Sequence, residues 1–378
     1  MRYADDRLLD DHEAVAAIDR GDMLRATADA GAQVRRALTA VSASTLQSIA
    51  AEGRPRAVVV TGMGGSGISG DVLGAVCGTT CAVPVSTLRG YVLPGWVGPL
   101  DLVIAVSCSG ATEETLAVAA EAAKRGARLV GVAAVGSPLH ELVLSTPGAS
   151  FLPVDAGSLM PRAALWLLAT PLLLVADALG LVSVPRAALD LAADTLDEMS
   201  VRCGPAAPLE ENPAKILGTS LAASLPMVWG TSPLGAVAAV RLACQLNENA
   251  KLPVVFGSLP EVNHNQVVAL DGPFAGTSDE DIFRDPLEDG VGPARLRLVL
   301  LRDSVEHPQE ALRAEVSRDL ADRRGVPVET VTAVEGHPVV RLASLVGMAD
   351  WSSVYAAVVL GIDPSPIGPI TELKARIS

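Results

Sequence analysis

Residues 245–265 carry a carboxylate and an imidazole in apolar surroundings: Glu248 ends a helix-patterned run, and His264 follows sixteen residues later. Asn247, Asn249, Asn263 and Asn265 stand beside them, and amides orient a ligand without adding charge. Carboxylates and imidazoles are common proton carriers in catalysis. Arg241, Gln245 and Glu248 recur at i, i+4 and i+7, a polar stripe on a run otherwise built from Val237, Val240, Ala243 and Cys244. Taken alone, such a stripe is more often a solvated face than a catalytic one. The paired asparagines at its end favour chemistry, and we expect burial there to push the Glu248 carboxyl towards the range a general base needs.

A second set of groups lies earlier. Ser107-Cys-Ser109-Gly-Ala-Thr112 follows a strand pattern and opens a helix, placing three hydroxyls and a glycine at a helix N-terminus. Unpaired N–H groups and the positive end of the helix dipole bind anions there, and hydroxyls add short-range donors, so the pattern reads as a phosphate cradle. Ser66, in the turn Gly62-Met-Gly64-Gly-Ser-Gly67, completes the set from the neighbouring strand. Any single hydroxyl here could be only an N-cap. Four on two adjacent loops argue for binding.

The same turn matches GxGxxG, which raises a dinucleotide site. That site needs an acid about 20 residues on for the ribose hydroxyls. None occurs from Val72 through Leu100. Arg89 leaves a 2′-phosphate reading open.

The elements that must position these groups follow from hydrophobic patterning. Strands are expected at 56–61, 82–88, 102–107, 128–133 and 150–154, with helices between them, notably 112–125 ending at Gly126. An apolar helix at 161–180 and an amphipathic one at 186–199 close this half, and Cys203-Gly-Pro-Ala-Ala-Pro208 reads as a linker. The second half repeats the plan, with strands at 225–230, 254–256, 296–301 and 326–331 and helices at 234–249, 308–323 and 338–361. Strand alternating with helix gives an α/β fold of two similar domains, each a parallel sheet flanked by helices. The expected division is 1–52 as N-terminal helices bracing the first domain, 53–202 as the first domain with the anion loops, and 209–378 as the second with Glu248 and His264. An acidic insert, 277–290, reads as a solvated loop.

Composition narrows the partners. A formal charge of −14 without clustered Lys or Arg argues against nucleic acid. Five cysteines, an odd number without CxxC spacing, read as reduced thiols, and no His/Cys spacing suggests a metal site. The apolar stretches 163–175 and 354–361 are short for a membrane span and read as buried helices. The charged start of the sequence lacks the apolar run of a secretory leader, so a cytoplasmic location is expected.

Six ordered motifs carry a resemblance across roughly 55–378: the Gly-Ser turn, the Ser-x-Ser-Gly-x-Thr-Glu-Glu-Thr loop, Asn212-Pro-Ala-Lys215, Asn247-Glu-Asn-Ala-Lys251, Pro260-Glu-x-x-His-Asn265, and Asp363-Pro-Ser-Pro-Ile with Leu373-Lys374. Together they resemble the bifunctional phosphoglucose/phosphomannose isomerases of the sugar isomerase (SIS) fold. The resemblance implies two SIS-type αβα domains. It also implies an aldose–ketose isomerase that interconverts glucose 6-phosphate or mannose 6-phosphate with fructose 6-phosphate through a cis-enediol.

By the same resemblance Gly65, Ser66, Ser107, Ser109 and Thr112 hold the sugar phosphate. Glu248 moves the proton between C1 and C2, and Arg162 steadies the enediolate. His264, contributed by the other subunit of a homodimer, assists ring opening, and Lys374 reaches the same site. Proton transfer with charge stabilisation needs no cofactor or metal, and none is expected.

Two positions depart from the pattern. Ala111 stands where asparagine is usual, and Ser69 where glycine is common. Ala111 removes a polar group beside the phosphate, which keeps two other readings open: a phosphosugar-binding regulator without turnover, and an isomerase of another sugar phosphate. His12, His140, His307 and His337 are assigned no chemistry, and Glu113 and Glu114 are read as first-turn acids favoured by the helix dipole.

Overall fold

The computed structural model describes residues 4–275 and 295–377, so the acidic stretch 277–290 lies outside the described residues. Along the chain, a 3₁₀ turn (Asp6–Asp10) precedes helices α1 (His12–Ile18), α2 (Met23–Ala28), α3 (Ala30–Ala40) and α4 (Ala43–Ala51). The first sheet is then laid down as β1 (Val58–Thr61), α5 (Gly64–Cys77), β2 (Val85–Leu88), β3 (Leu102–Ser107), α6 (Glu113–Lys124), β4 (Arg128–Ala133), α7 (Pro138–Ser145) and β5 (Ser150–Pro153). Its order is β2-β1-β3-β4-β5, all parallel, with Val58 level with Val85 on one side and Leu102 on the other. Every residue of β1 and β3 is buried. This explains their unbroken apolar sequence, because a parallel sheet is covered on both faces.

Helix α8 (Leu165–Ala178) is apolar nearly all round and almost wholly buried, as such a helix must be. After α9 (Arg186–Cys203) and α10 (Pro213–Ala222) the second sheet follows the same scheme: β6 (Leu225–Gly230), α11 (Pro233–Gln245), a π-helical turn (Leu246–Ala250), β7 (Val255–Ser258), 3₁₀ turns (Glu261–His264 and Gln266–Asp271), β8 (Leu296–Arg302), α12 (Pro308–Asp322) and β9 (Val328–Thr332). The order is β7-β6-β8-β9, again parallel. Helices α13 (Pro338–Val359) and α14 (Gly368–Ile377) end the described chain. By length and composition α13 could cross a membrane, but its apolar window is entirely buried in protein, the condition of a core helix. Each sheet starts with an inner strand, sends the second to one side and returns with the third on the other. This is the repeat that the hydrophobic pattern suggests.

The chain divides into two compact units. One holds the first sheet (Asp29–Asp197 with Gly336–Ala343), and the other holds the second (Glu198–Glu335, Ser344 onward, and the N-terminal residues up to Ala28). The N-terminal helices therefore do not act as one brace for the first sheet: α1 and α2 join the second-sheet unit. The side chains that fix them are specific. Asn212 caps α10 by accepting from the backbone N–H groups of Ala214 and Lys215, each at 3.0 Å. This leaves the Lys215 ammonium, 0% exposed, to donate to Asp10 Oδ1 (2.8 Å), Pro205 O (3.1 Å) and Ala207 O (2.8 Å). A buried ammonium has three protons to place, and Lys215 places all of them. Asp10 also accepts from Leu209 N, and Asp5 N donates to Val359 O. The unit boundary falls within α9, ahead of the Gly-Pro segment that reads as a linker.

Candidate active site

In the first-sheet unit, β1 and β3 are neighbours on either side of the point where the strand order reverses. Crevices outside the carboxyl ends of strands at such a point are where open α/β sheets bind ligands. The turn after β1 is shaped by two glycines. Gly64 has φ +51°, a conformation costly for a side chain. A Cβ at Gly65 would lie 3.1 Å from Pro161 O and 3.8 Å from Arg162 Cα, so the missing side chain lets the 3₁₀ turn Pro161–Ala163 close against the loop. Arg162 is buried there. The residue preceding α5 is Met63, which supplies no side-chain cap, and Ser66 lies buried in the helix's first turn.

The turn after β3 is held by its own hydroxyls. Ser107 Oγ, buried, accepts from Gly110 N at 3.0 Å and lies 2.8 Å from Thr112 Oγ1. Ser109 accepts from Ala111 N at 3.3 Å, and both Ser109 and Ala111 are exposed. Thr112 precedes α6 but makes no capping bond, so the plain N-cap reading does not describe it. Gly110 has φ +67°, and a Cβ on it would sit 2.0 Å from Ser137 Oγ. Gly65 and Ser66 thus lie on one turn, with Arg162 on the 3₁₀ turn packed against it, and Ser107, Ser109 and Thr112 lie on the turn after β3. Arg89, the cation that left a 2′-phosphate reading open, is paired with Asp71.

The corresponding turns of the second sheet have the opposite electrostatics. Ser232, preceding α11, donates to Asp303 Oδ2 at 3.0 Å, and Thr231 donates to Glu306. Two carboxylates thus occupy the hydroxyls of these second-sheet turns. The paired Thr-Ser after β6 reads as a simple turn in sequence, because its carboxylate partners lie more than seventy residues on.

Glu248 lies on the π turn that prolongs α11 to Ala250, where the 3.6-residue pattern predicts a plain helix. Of the polar stripe, Arg241 and Gln245 are buried, whereas Glu248 is partly exposed in the single chain, contrary to the burial expected for it. The solvated-face reading fails for the first two, which bond to Asp350 of α13. Lys251, at φ +59°, ends the turn, its ammonium donating to Glu248 O and to Pro364 O (3.4 Å).

His264 is exposed at the end of its 3₁₀ turn. The segment around it is pinned by amides: Asn263 Nδ2 donates to Ser317 Oγ at 2.9 Å, Asn265 Nδ2 to Glu261 Oε1 at 2.7 Å, and Trp229 Nε1 to Gln266 Oε1 at 2.7 Å. Lys374 lies on α14, which has no buried residue. Glu248, His264 and Lys374 all belong to the second-sheet unit.

The chain is 32% identical over 321 residues to a bifunctional phosphoglucose/phosphomannose isomerase from Caldicellulosiruptor bescii, covering 85% of this chain and 89% of that relative. It belongs to the bifunctional phosphoglucose/phosphomannose isomerase family. A member from Aquifex aeolicus is 28% identical over 324 residues, covering 85% of this chain and 90% of its own length. The family model for the bacterial phospho-glucose isomerase C-terminal SIS domain matches residues 210–377, the stretch that carries Glu248, His264 and Lys374. A hypothetical protein of known structure from Thermus thermophilus superposes with a TM-score of 0.70 at 18% identity, covering 98% of this chain and 95% of that one, which shows the shared fold. The two hydroxyl-bearing turns of the first sheet and the Asn-Glu-Asn turn are legible in the sequence. Asp350 and Ser353, which hold the latter turn, belong to no motif and escape a sequence reading; their only signal is a lone acid, followed by two serines, inside the apolar run of α13.

Proposed function

We propose that this protein interconverts glucose 6-phosphate and mannose 6-phosphate with fructose 6-phosphate. The observation that carries the reading is the hydroxyl cradle, with Arg162 packed against it, in a chain that also keeps Glu248 and His264 in their family motifs. Ser66, Ser107, Ser109, Thr112 and the backbone at Gly65 bind the phosphate, as neutral donors at helix N-termini do. His264 and Lys374 assist opening of the hexose ring. Glu248 then takes the C2 proton of the open-chain aldose, and the C1 carbonyl oxygen becomes an enediolate oxygen faced by Arg162. The hydroxyl proton passes from O2 to O1, and return of the Glu248-held proton at C1 then leaves the carbonyl at C2, completing the ketose. Both C2 epimers are used if the open chain rotates about C2–C3 before proton transfer.

The reading includes a homodimer in which His264 serves the partner's site. Two features support it: His264 is exposed, and β7, the edge strand leading into its turn, exposes Val255 (42%) and Phe256 (44%). Edge strands with apolar faces are natural pairing surfaces. A cytoplasmic location and independence of cofactors complete the proposal. Incubating the purified protein separately with glucose 6-phosphate and mannose 6-phosphate, and measuring fructose 6-phosphate, tests it. Ketose from both aldoses is expected. Binding without conversion of either would favour the regulator that the exposed Ala111 suggests.

A further inference from the structure

A π turn spreads its backbone bonds over five residues, is rare, and clusters at functional sites. The turn Leu246–Ala250 presents Glu248, and it is tied to α13 by buried side chains on both sides of that residue. Ahead of it, Arg241 Nε donates to Asp350 Oδ1 at 2.7 Å, another guanidinium nitrogen donates to Oδ2 at 3.0 Å, and Gln245 Nε2 donates to Oδ1 at 3.2 Å. Behind it, Asn249 Nδ2 donates to Ser353 Oγ at 2.9 Å. The two anchors are joined, because the Ser353 hydroxyl donates to the carbonyl of Asp350 at 2.7 Å. All five side chains are buried.

We propose that Asp350 and Ser353 are positioning residues for proton transfer by Glu248. This inference rests on the reading of Glu248 as the base. A buried ion pair is a weak source of stability, because desolvation offsets its attraction, whereas a bidentate guanidinium–carboxylate pair fixes register. Here it fixes the last turn of α11 against α13, and the Asn249–Ser353 bond fixes the residue just after Glu248. Proton abstraction from carbon tolerates little misplacement of the base, so loosening either anchor acts on the chemical step. It does not act on phosphate capture, since none of these residues belongs to the cradle turns.

The test is steady-state kinetics of Ser353→Ala and Gln245→Met in the full-length protein, with inorganic phosphate as a competitive probe of the cradle. Gln245→Met keeps side-chain length and removes a single bond to Asp350. The Gln245 Oε1 atom is buried without a hydrogen-bond partner, so this variant folds even if the serine variant does not. Each variant is expected to lower kcat about tenfold, with KM and the phosphate inhibition constant within about twofold of wild type. Ser353→Thr, which keeps the hydroxyl, is expected to restore most of kcat. Unchanged kcat in folded variants, or a rise in KM at unchanged kcat, overturns the proposal. A wild-type protein without isomerase activity would instead overturn the reading on which it rests.

Discussion

The Ser107 hydroxyl lies 2.8 Å from that of Thr112, joining the end of β3 to the start of α6 through the two oxygens expected to meet the phosphate. Neither is a helix cap, and Ser107 also accepts from Gly110 N. Ser107→Ala therefore removes a phosphate donor and loosens the loop together. Steady-state kinetics should show KM for fructose 6-phosphate raised about tenfold, the cost of one hydrogen bond to a charged group, with a smaller change in kcat. An unchanged KM would remove Ser107 from the cradle.

Gly110 is a sharper probe of the same turn. Its φ of +67°, and the 2.0 Å that would separate Ser137 Oγ from a Cβ at this position, exclude even alanine without rearrangement. Gly110→Ala should cost about 2–3 kcal/mol of stability, seen as a lowered denaturation midpoint in urea, and should weaken inhibition by inorganic phosphate. A variant of wild-type stability would mean that the turn is more plastic than its geometry implies.

Much of the fold and of the cradle is legible in sequence for a physical reason: local chemistry and local periodicity reach the same conclusion. Buried strands read as apolar runs, Gly110 sits in a Ser-Gly pattern, and Asn212 precedes Pro213 as helix caps do. The missing parts depend on partners distant in sequence. Arg241 and Gln245 look solvated until Asp350 is brought to them. The 3.6-residue pattern of α11 gives no sign of the π turn. The hydroxyls of Thr231 and Ser232 read as a simple turn until Asp303 and Glu306 arrive. The N-terminal helices have apolar faces, but these do not say which unit each helix joins: α1 and α2 go with the second sheet, where Asp10 bonds Lys215, and α3 and α4 go with the first.

The carboxylates at the second-sheet turns predict one anion site per chain. Calorimetric titration with fructose 6-phosphate should give one site per chain. Two equivalent sites would contradict the closure of Thr231 and Ser232 by Glu306 and Asp303.

The Asp10–Lys215 contact predicts a pH dependence of stability. The Lys215 hydrogen bond holds the Asp10 carboxyl below its ordinary value, against a smaller opposing effect of burial. A depressed carboxylate pKa stabilises the fold above the unfolded-state value near about 4, and this contribution is lost as the pH falls through the folded value. Thermal melts should therefore show Asp10→Asn modestly less stable than wild type at pH 7, the exposed carboxylate being screened by solvent, with the difference shrinking as the pH falls below the ordinary carboxylate range. A difference that persists at low pH would assign the effect to packing.

The central claim is that Glu248 moves a carbon-bound proton of a hexose 6-phosphate. It is tested most directly by incubating fructose 6-phosphate in deuterated water with wild-type protein and with Glu248→Gln, and following the C1 and C2 protons by NMR. With wild-type protein, deuterium is predicted at C2 of the aldose products, and at C1 of the ketose as the reaction reverses. For Glu248→Gln the predicted rate is at least about a hundredfold lower, since general-base catalysis contributes on the order of 10²–10⁴. No deuterium with wild-type protein, or equal incorporation by the variant, would contradict the claim.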